Sequence, residues 1–190
     1  MKTLSALFIS PHLDDVAFSC GGTLIKLALN GWNIINLTCF TKSILNPQGF
    51  ALACQLDKGL SANVDYMELR RAEDLEFTRR AKVSETVWIN FAEAPNRGYE
   101  SAKDLFDGVH EDDEIWRDLA IELMEIVEES EVDAIFAPQG IGNHVDHLQT
   151  IRAVLSCNFQ QPIFWYKDAP YAIRKPEARH SDLLPQSLFE

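Results

Sequence analysis

Apolar positions along the chain fall into two kinds of run. Residues 4–9, 34–40, 86–91, 134–137 and 162–165 are short apolar-rich stretches bounded by proline, glycine or polar residues, as buried strands are. Between them the apolar spacing turns helical. Leu24, Ile25, Leu27 and Ala28 form one such stripe, which stops at Asn30-Gly31. Residues 69–80 predict a second helix. Ile115, Leu119, Leu123, Ile126 and Val127 mark a third, and Leu148, Ile151, Val154 and Leu155 a fourth over 144–155. Strands alternating with helices predict an α/β fold: one domain over 1–190 with a doubly wound, mainly parallel, Rossmann-like sheet and helices on both faces. Right-handed crossovers put the first strand in the centre, strands two and three on one side, and the strand before His144 on the other.

Two long irregular stretches interrupt this alternation. Residues 41–63 contain Pro47 and room for a short helix over 51–55; residues 92–108 carry Arg97, Tyr99, Lys103 and Asp104. Loops of such length are usually functional or mobile. Beyond Tyr171, with Pro176 and Pro185, the pattern assigns no element. Gly21-Gly22 predicts close helix–sheet packing, since neither a G-x-G-x-x-G pattern nor a Walker lysine accompanies it.

Polar chemistry concentrates at two strand ends. Pro11, His12, Asp14 and Asp15 follow the first strand directly, and Gly140 to His147 follow the fourth. Three of the five histidines lie in these two segments. Open α/β sheets place ligands at the carboxyl ends of their strands, and the expected order makes strands one and four neighbours at the switch point. His12, Asp15 and His147 are thereby brought together. A histidine and a carboxylate so close can share a cation such as zinc, leaving a second aspartate to handle protons. The competing reading is that Asp14 or Asp15 caps the following helix. A cap needs one acidic residue, however, and leaves the other aspartate and His12 unexplained.

The two segments resemble the paired motifs of the PIG-L, or LmbE-like, family of zinc-dependent de-N-acetylases. Pro11, His12, Asp14 and Asp15 match the first motif; His144, Asp146 and His147 match the second. Arg70 with Glu73, residues 93–97 (EAPNR) and residues 166–171 (YKDAPY) are fainter echoes. Leu13 and Val16 depart from the pattern, and Gly142-Asn143 stand where some members carry a tyrosine. The resemblance implies one divalent metal, zinc, held by His12, Asp15 and His147. It implies Asp14 as general base, His144 as stabiliser of the oxyanion, and Asp146 as the residue that orients a histidine. The implied reaction removes an N-acetyl group from an N-acetylglucosamine-like amino-sugar conjugate, whose hydroxyls Arg70, Arg97 and Tyr166 would grip. Asp146 is expected to outweigh the helix dipole and keep His144 protonated. Two other readings stay open. One is an inactive sugar- or metal-binding module, for which the spare Asp14 would be superfluous. The other is a magnesium-dependent phospho-receiver, which needs an aspartate where this chain has Asn90-Phe91 and leaves His144 and His147 idle.

Charge narrows the partners further. Seventeen basic against 29 acidic residues give −12, which disfavours nucleic acid and acidic membranes. The acidic runs at 111–114 and 128–129 read as a solvated helix face. The four cysteines form no C-x-x-C pair and read as buried reduced thiols. The apolar start is too short for a secretory signal, and no stretch is long enough to span a bilayer. A cytoplasmic protein acting on a small molecule is expected, with a homo-oligomer left open.

Overall fold

β1 (Ser5–Ser10) is buried at every position and lies at the centre of the sheet. β2 (Asn33–Thr38) and β3 (Glu85–Trp88) lie on one side, β4 (Ala134–Pro138) and β5 (Ile163–Tyr166) on the other. All four pairings are parallel, in the order β3-β2-β1-β4-β5. This is the predicted order. The computed structural model describes residues 2–174 and 176–188.

The core follows from the strand period of two. Ala6 and Phe8 of β1 pack towards α1 (Asp15–Leu29) and α3 (Tyr66–Arg80), among Val16, Leu24 and Ala81. Leu7 and Ile9 point the other way, towards Leu119, Leu123 and Val127 of α4 (Ile115–Ser130) and Ala153 and Val154 of α5 (Val145–Ser156). Side chains of this size are worth ~1.5–3 kcal/mol each when buried, so both faces of the sheet hold their helices. Phe8, Phe136 and Phe164 are in register on adjacent strands and stack at 4.3 and 5.0 Å.

Element boundaries depart from the sequence pattern for local reasons. α3 begins at Tyr66 rather than 69 because Asp65 caps it, accepting the Glu68 N–H at 3.0 Å. β3 stops at Trp88; the expected continuation bends away to form an antiparallel bridge between Phe40 and Asn90. Gly21 faces the Phe77 ring of α3 rather than the sheet, at a distance where a Cβ would make only ordinary contact, and Gly22 faces open space, so the expected close helix–sheet packing is not what the pair does. α1 ends at Asn30-Gly31, as the pattern predicts.

The long segment after β2 contains α2 (Gly49–Asp57) and is anchored at several points. Arg71 donates to the Thr41 carbonyl and to Ser43, and the buried Gln55 amide donates to the carbonyls of Ser61 and Val64. A last short helix, α6 (Tyr171–Arg174), follows β5. Among the described residues no helix is long and apolar enough to cross a membrane.

Candidate metal centre and active site

The first motif is shaped by Ser10, the last residue of β1. Its hydroxyl accepts the Val16 N–H at 3.1 Å and donates to the His12 carbonyl, closing the turn into α1. Asp14 occupies the N-cap position yet makes no capping hydrogen bond. Asp15 turns back to accept the His12 N–H at 2.8 Å. A serine therefore does the capping, and both aspartates are spared for other work.

The second motif reaches the same place from β4. The turn after β4 needs positive φ at Gly140 (71°), Gly142 (95°) and Asn143 (61°). His144 then caps α5 through its own ring, Nδ1 accepting the Asp146 N–H at 3.2 Å. Asp146 and His147, in the first turn, project towards the end of β1. The His12 ring lies between two carboxylates, Nδ1 3.1 Å from Asp15 Oδ2 and Nε2 2.9 Å from Asp146 Oδ2. His147 is placed in the same way, Nε2 3.3 Å from Asp15 Oδ2 and Nδ1 2.6 Å from Asp168 Oδ1. Asp15 is thus the point where two rings converge.

Among the described residues two groups could hold a metal ion, His12–Asp15–His147 and His12–His144–Asp146, each with ligand atoms within 4.8 Å of one another. Asp146 is a poor choice. The Arg97 guanidinium lies 2.8 Å from its Oδ1, where it would repel a dication. The first group fits better. His147 Nε2 is buried and faces Asp15 Oδ2 at 3.3 Å without a well-formed hydrogen bond, so an enclosed nitrogen and a carboxylate oxygen converge on one point. Two imidazoles and a carboxylate are also the donor set that suits zinc.

Electrostatics separate the histidines. Burial opposes the charge on His12, but Asp15 and Asp146 outweigh it and raise its pKa well above 6.5. His147 is raised to about 9 against the same burial, by Asp15 and Asp168. Asp15 and Asp146 are held low despite their burial, Asp15 chiefly by His147 and Asp146 chiefly by Arg97. His144 behaves in the opposite way. Burial and the charge on His12 lower it to about 3, which overrides the Asp146 charge. The expectation of a protonated His144 is corrected here: the Asp146 carboxylate faces His12 and Arg97, and only its backbone N–H meets His144. With Nδ1 accepting, the neutral ring carries its proton on Nε2.

A cavity of about 410 Å³ opens beside these groups, lined by His12, Asp14, Asp15 and His144, by residues of α2, and by Lys58 and Tyr66. The Asp14 side chain is 49% exposed there. Arg70 lines the cavity too, but its guanidinium is engaged, donating to Asp14 at 2.8 Å and to Glu93 at 2.6 Å. Arg97 and Tyr166 lie outside it. Arg97 binds Asp113, the Ala92 carbonyl and Asp146, and the buried Tyr166 hydroxyl donates to the Ile9 carbonyl. Both are committed to internal partners and cannot grip a sugar as expected.

Sequence reasoning missed three contributors. Asp168 lies inside the segment 166–171, whose pattern gives it no role. Asp113 belongs to an acidic run that reads as solvated, although its carboxylate is buried against Arg97 and Tyr99. Tyr171 lines the cavity, and its ring covers Gly142, where a Cβ would come within 2.8 Å of it. All four cysteines are free; Cys20 and Cys39 are buried, whereas Cys54 and Cys157 are only half-buried.

A histidine–carboxylate cluster that could hold a metal ion, at the switch point of a parallel sheet and beside a cavity, defines the class of site in this α/β protein. The chain belongs to the PIG-L family, described as GlcNAc-PI de-N-acetylase, whose model matches residues 7–158. It is 32% identical over 169 residues to a 2'-N-acetylparomamine deacetylase of Streptomyces fradiae, an alignment that covers 87% of this chain and 57% of that protein. The chain therefore spans little more than half the length of this curated relative. A solved structure of the zinc-inhibited form of teicoplanin deacetylase is similar with a TM-score of 0.82 and 26% identity, over 96% of this chain and 73% of that one. A deacetylase–teicoplanin complex gives a TM-score of 0.80 and 25% identity, over 89% and 72%.

Proposed function

We propose that the protein is a zinc-dependent hydrolase that removes the N-acetyl group from an N-acetylglucosamine-like amino-sugar conjugate, releasing acetate and a free amine. One observation carries this reading: Asp14, unused as a cap and half-exposed, stands in the cavity beside the His12–Asp15–His147 group. A binding module would have no use for it.

His12, Asp15 and His147 would hold the ion. When bound there, zinc supplies Lewis acidity and a water made nucleophilic near neutral pH. Asp14 takes the proton of the attacking water and returns it to the nitrogen as the C–N bond breaks. Arg70 holds the Asp14 carboxylate in place through its 2.8 Å hydrogen bond. His144, neutral, donates from Nε2 to the oxygen on which charge develops. Deacetylase relatives acting on antibiotic amino sugars support this class of substrate.

The test is acetate and amine release from 2'-N-acetylparomamine and simple N-acetylglucosamine glycosides, with zinc supplied at about one equivalent per chain. Turnover that disappears in Asp14→Asn is the expected result. A zinc-loaded protein that leaves the whole panel intact would remove the proposal.

A further inference from the structure

The loop between β5 and α6 holds a buried carboxylate that no step above uses. Asp168 is fully buried, and both of its oxygens are occupied. Oδ1 lies 2.6 Å from His147 Nδ1, and Oδ2 accepts the Ile141 N–H at 3.1 Å. Among the described residues His147 is its only ion-pair partner. A buried carboxylate is stable only beside a positive charge or strong donors, so its placement on this one ring has consequences for the ring.

We propose that Asp168 is the positioning residue of the metal centre: its hold on Nδ1 orients the His147 ring so that Nε2 faces the same point as Asp15. The inference rests on the metal-centre reading above. Its geometry is that of a carboxylate–histidine–metal relay, in which the outer carboxylate sets the tautomer and orientation of the ligand and raises its basicity. Two observations support it independently. His147 Nε2 makes only a long 3.3 Å approach to Asp15 Oδ2, so the 2.6 Å contact from Asp168 is the closer hold on the ring. The loop carrying Asp168 is also anchored on its own account, the Ala169 N–H donating to Ser19 at 3.0 Å. The carboxylate is thus delivered to His147 by a fixed backbone.

A merely structural Asp168 would only tie the Ile141 turn to β5. The experiment separates the two roles by measuring zinc affinity, by competition with a chromophoric chelator, together with the absorption spectrum of the cobalt-substituted protein. Asp168→Asn should weaken zinc by roughly 10–100-fold and change the cobalt spectrum. Ser19→Ala loosens the same loop without touching His147 and should leave both unchanged. Equal affinities for Asp168→Asn and the parent, or equal losses in the two variants, would overturn the inference. If Asp168→Asn does not fold, ring-nitrogen NMR of the zinc-loaded parent decides: Nδ1 protonated and Nε2 ligated is expected, and the reverse sinks the proposal. A parent that binds no zinc at all sinks the metal centre first, and this inference with it.

Discussion

His12 and His147 both approach Asp15 Oδ2, and each ring presents its second nitrogen to an outer carboxylate. The resemblance ends behind those carboxylates. Asp146, behind His12, is backed by Arg97, which is itself held by Asp113, so charges alternate through three segments of chain. Among the described residues Asp168, behind His147, has only a backbone N–H and the ring itself. Asp74 on α3 is buried against the Trp88 indole and the Asn36 amide, neutral donors both. Asp146 and Asp74 are the two extremes. A full cation holds Asp146 ionised, whereas burial pushes Asp74 up to about 6 against its two neutral donors and the more distant Arg70. What stands behind a buried carboxylate decides its charge, and through it the charge of whatever it faces.

The largest expected effect is at the shared point. Asp15→Asn should abolish stable metal binding, because both arms lose their common ligand; elemental analysis after gel filtration measures it. A variant that kept its zinc would show that the arms do not meet there. Arg97→Met should cost on the order of 3–5 kcal/mol in urea unfolding, since it leaves Asp146 buried beside a broken ion pair. A loss below about 1 kcal/mol, the worth of an exposed pair, would mean that the two arms are backed alike after all. Asp14 belongs to neither arm. Asp14→Asn should keep the metal while turnover falls roughly a hundredfold or more. His144→Ala should lower turnover without moving either limb of the rate profile above pH 5, since burial holds that ring neutral there. A limb lost with His144 would restore its protonated role.

The smallest effect is a matter of sign. Asp74 has an ordinary value of 3.8 and a folded value of about 6, so the folded chain binds more protons between those limits. Its contribution to stability therefore falls as pH rises from about 4 to 6, by roughly 2–3 kcal/mol in all, and returns on acidification. Asp15 and Asp146 act in the opposite direction, so the measurement is the difference between the parent and Asp74→Asn, with Trp88 fluorescence as the local reporter. A difference that does not vary across this window would place Asp74 with the carboxylates held ionised.

Much of this was legible in the sequence because it depends on short-range order. Continuous apolar runs gave away strands buried on both faces, and their alternation with helices fixed the order that joins residue 12 to residue 147. The charge of His144 was not legible. Asp146 sits two residues away in sequence, but the fold turns its carboxylate to a ring arriving from β1 and to an arginine arriving from residue 97. Arg97 and Tyr166 look like surface donors until their partners, Asp113 and the Ile9 carbonyl, are known. The extent of α3 is poorly legible because the face it buries carries Asp74 and Thr78 beside Met67, which mutes the apolar stripe, and its start is set by the Asp65 cap.

Gly142 and Tyr171 have a consequence for how this pocket can vary. A Cβ at 142 would lie 2.8–3.1 Å from three atoms of Tyr171, and the backbone there already has φ of +95°. The two positions therefore compete for one volume. A smaller residue at 171 would relieve the clash but not the positive φ. Glycine should therefore persist at 142 even in a library that varies 142 and 171 together, whereas 171 is the position free to change the mouth of the cavity.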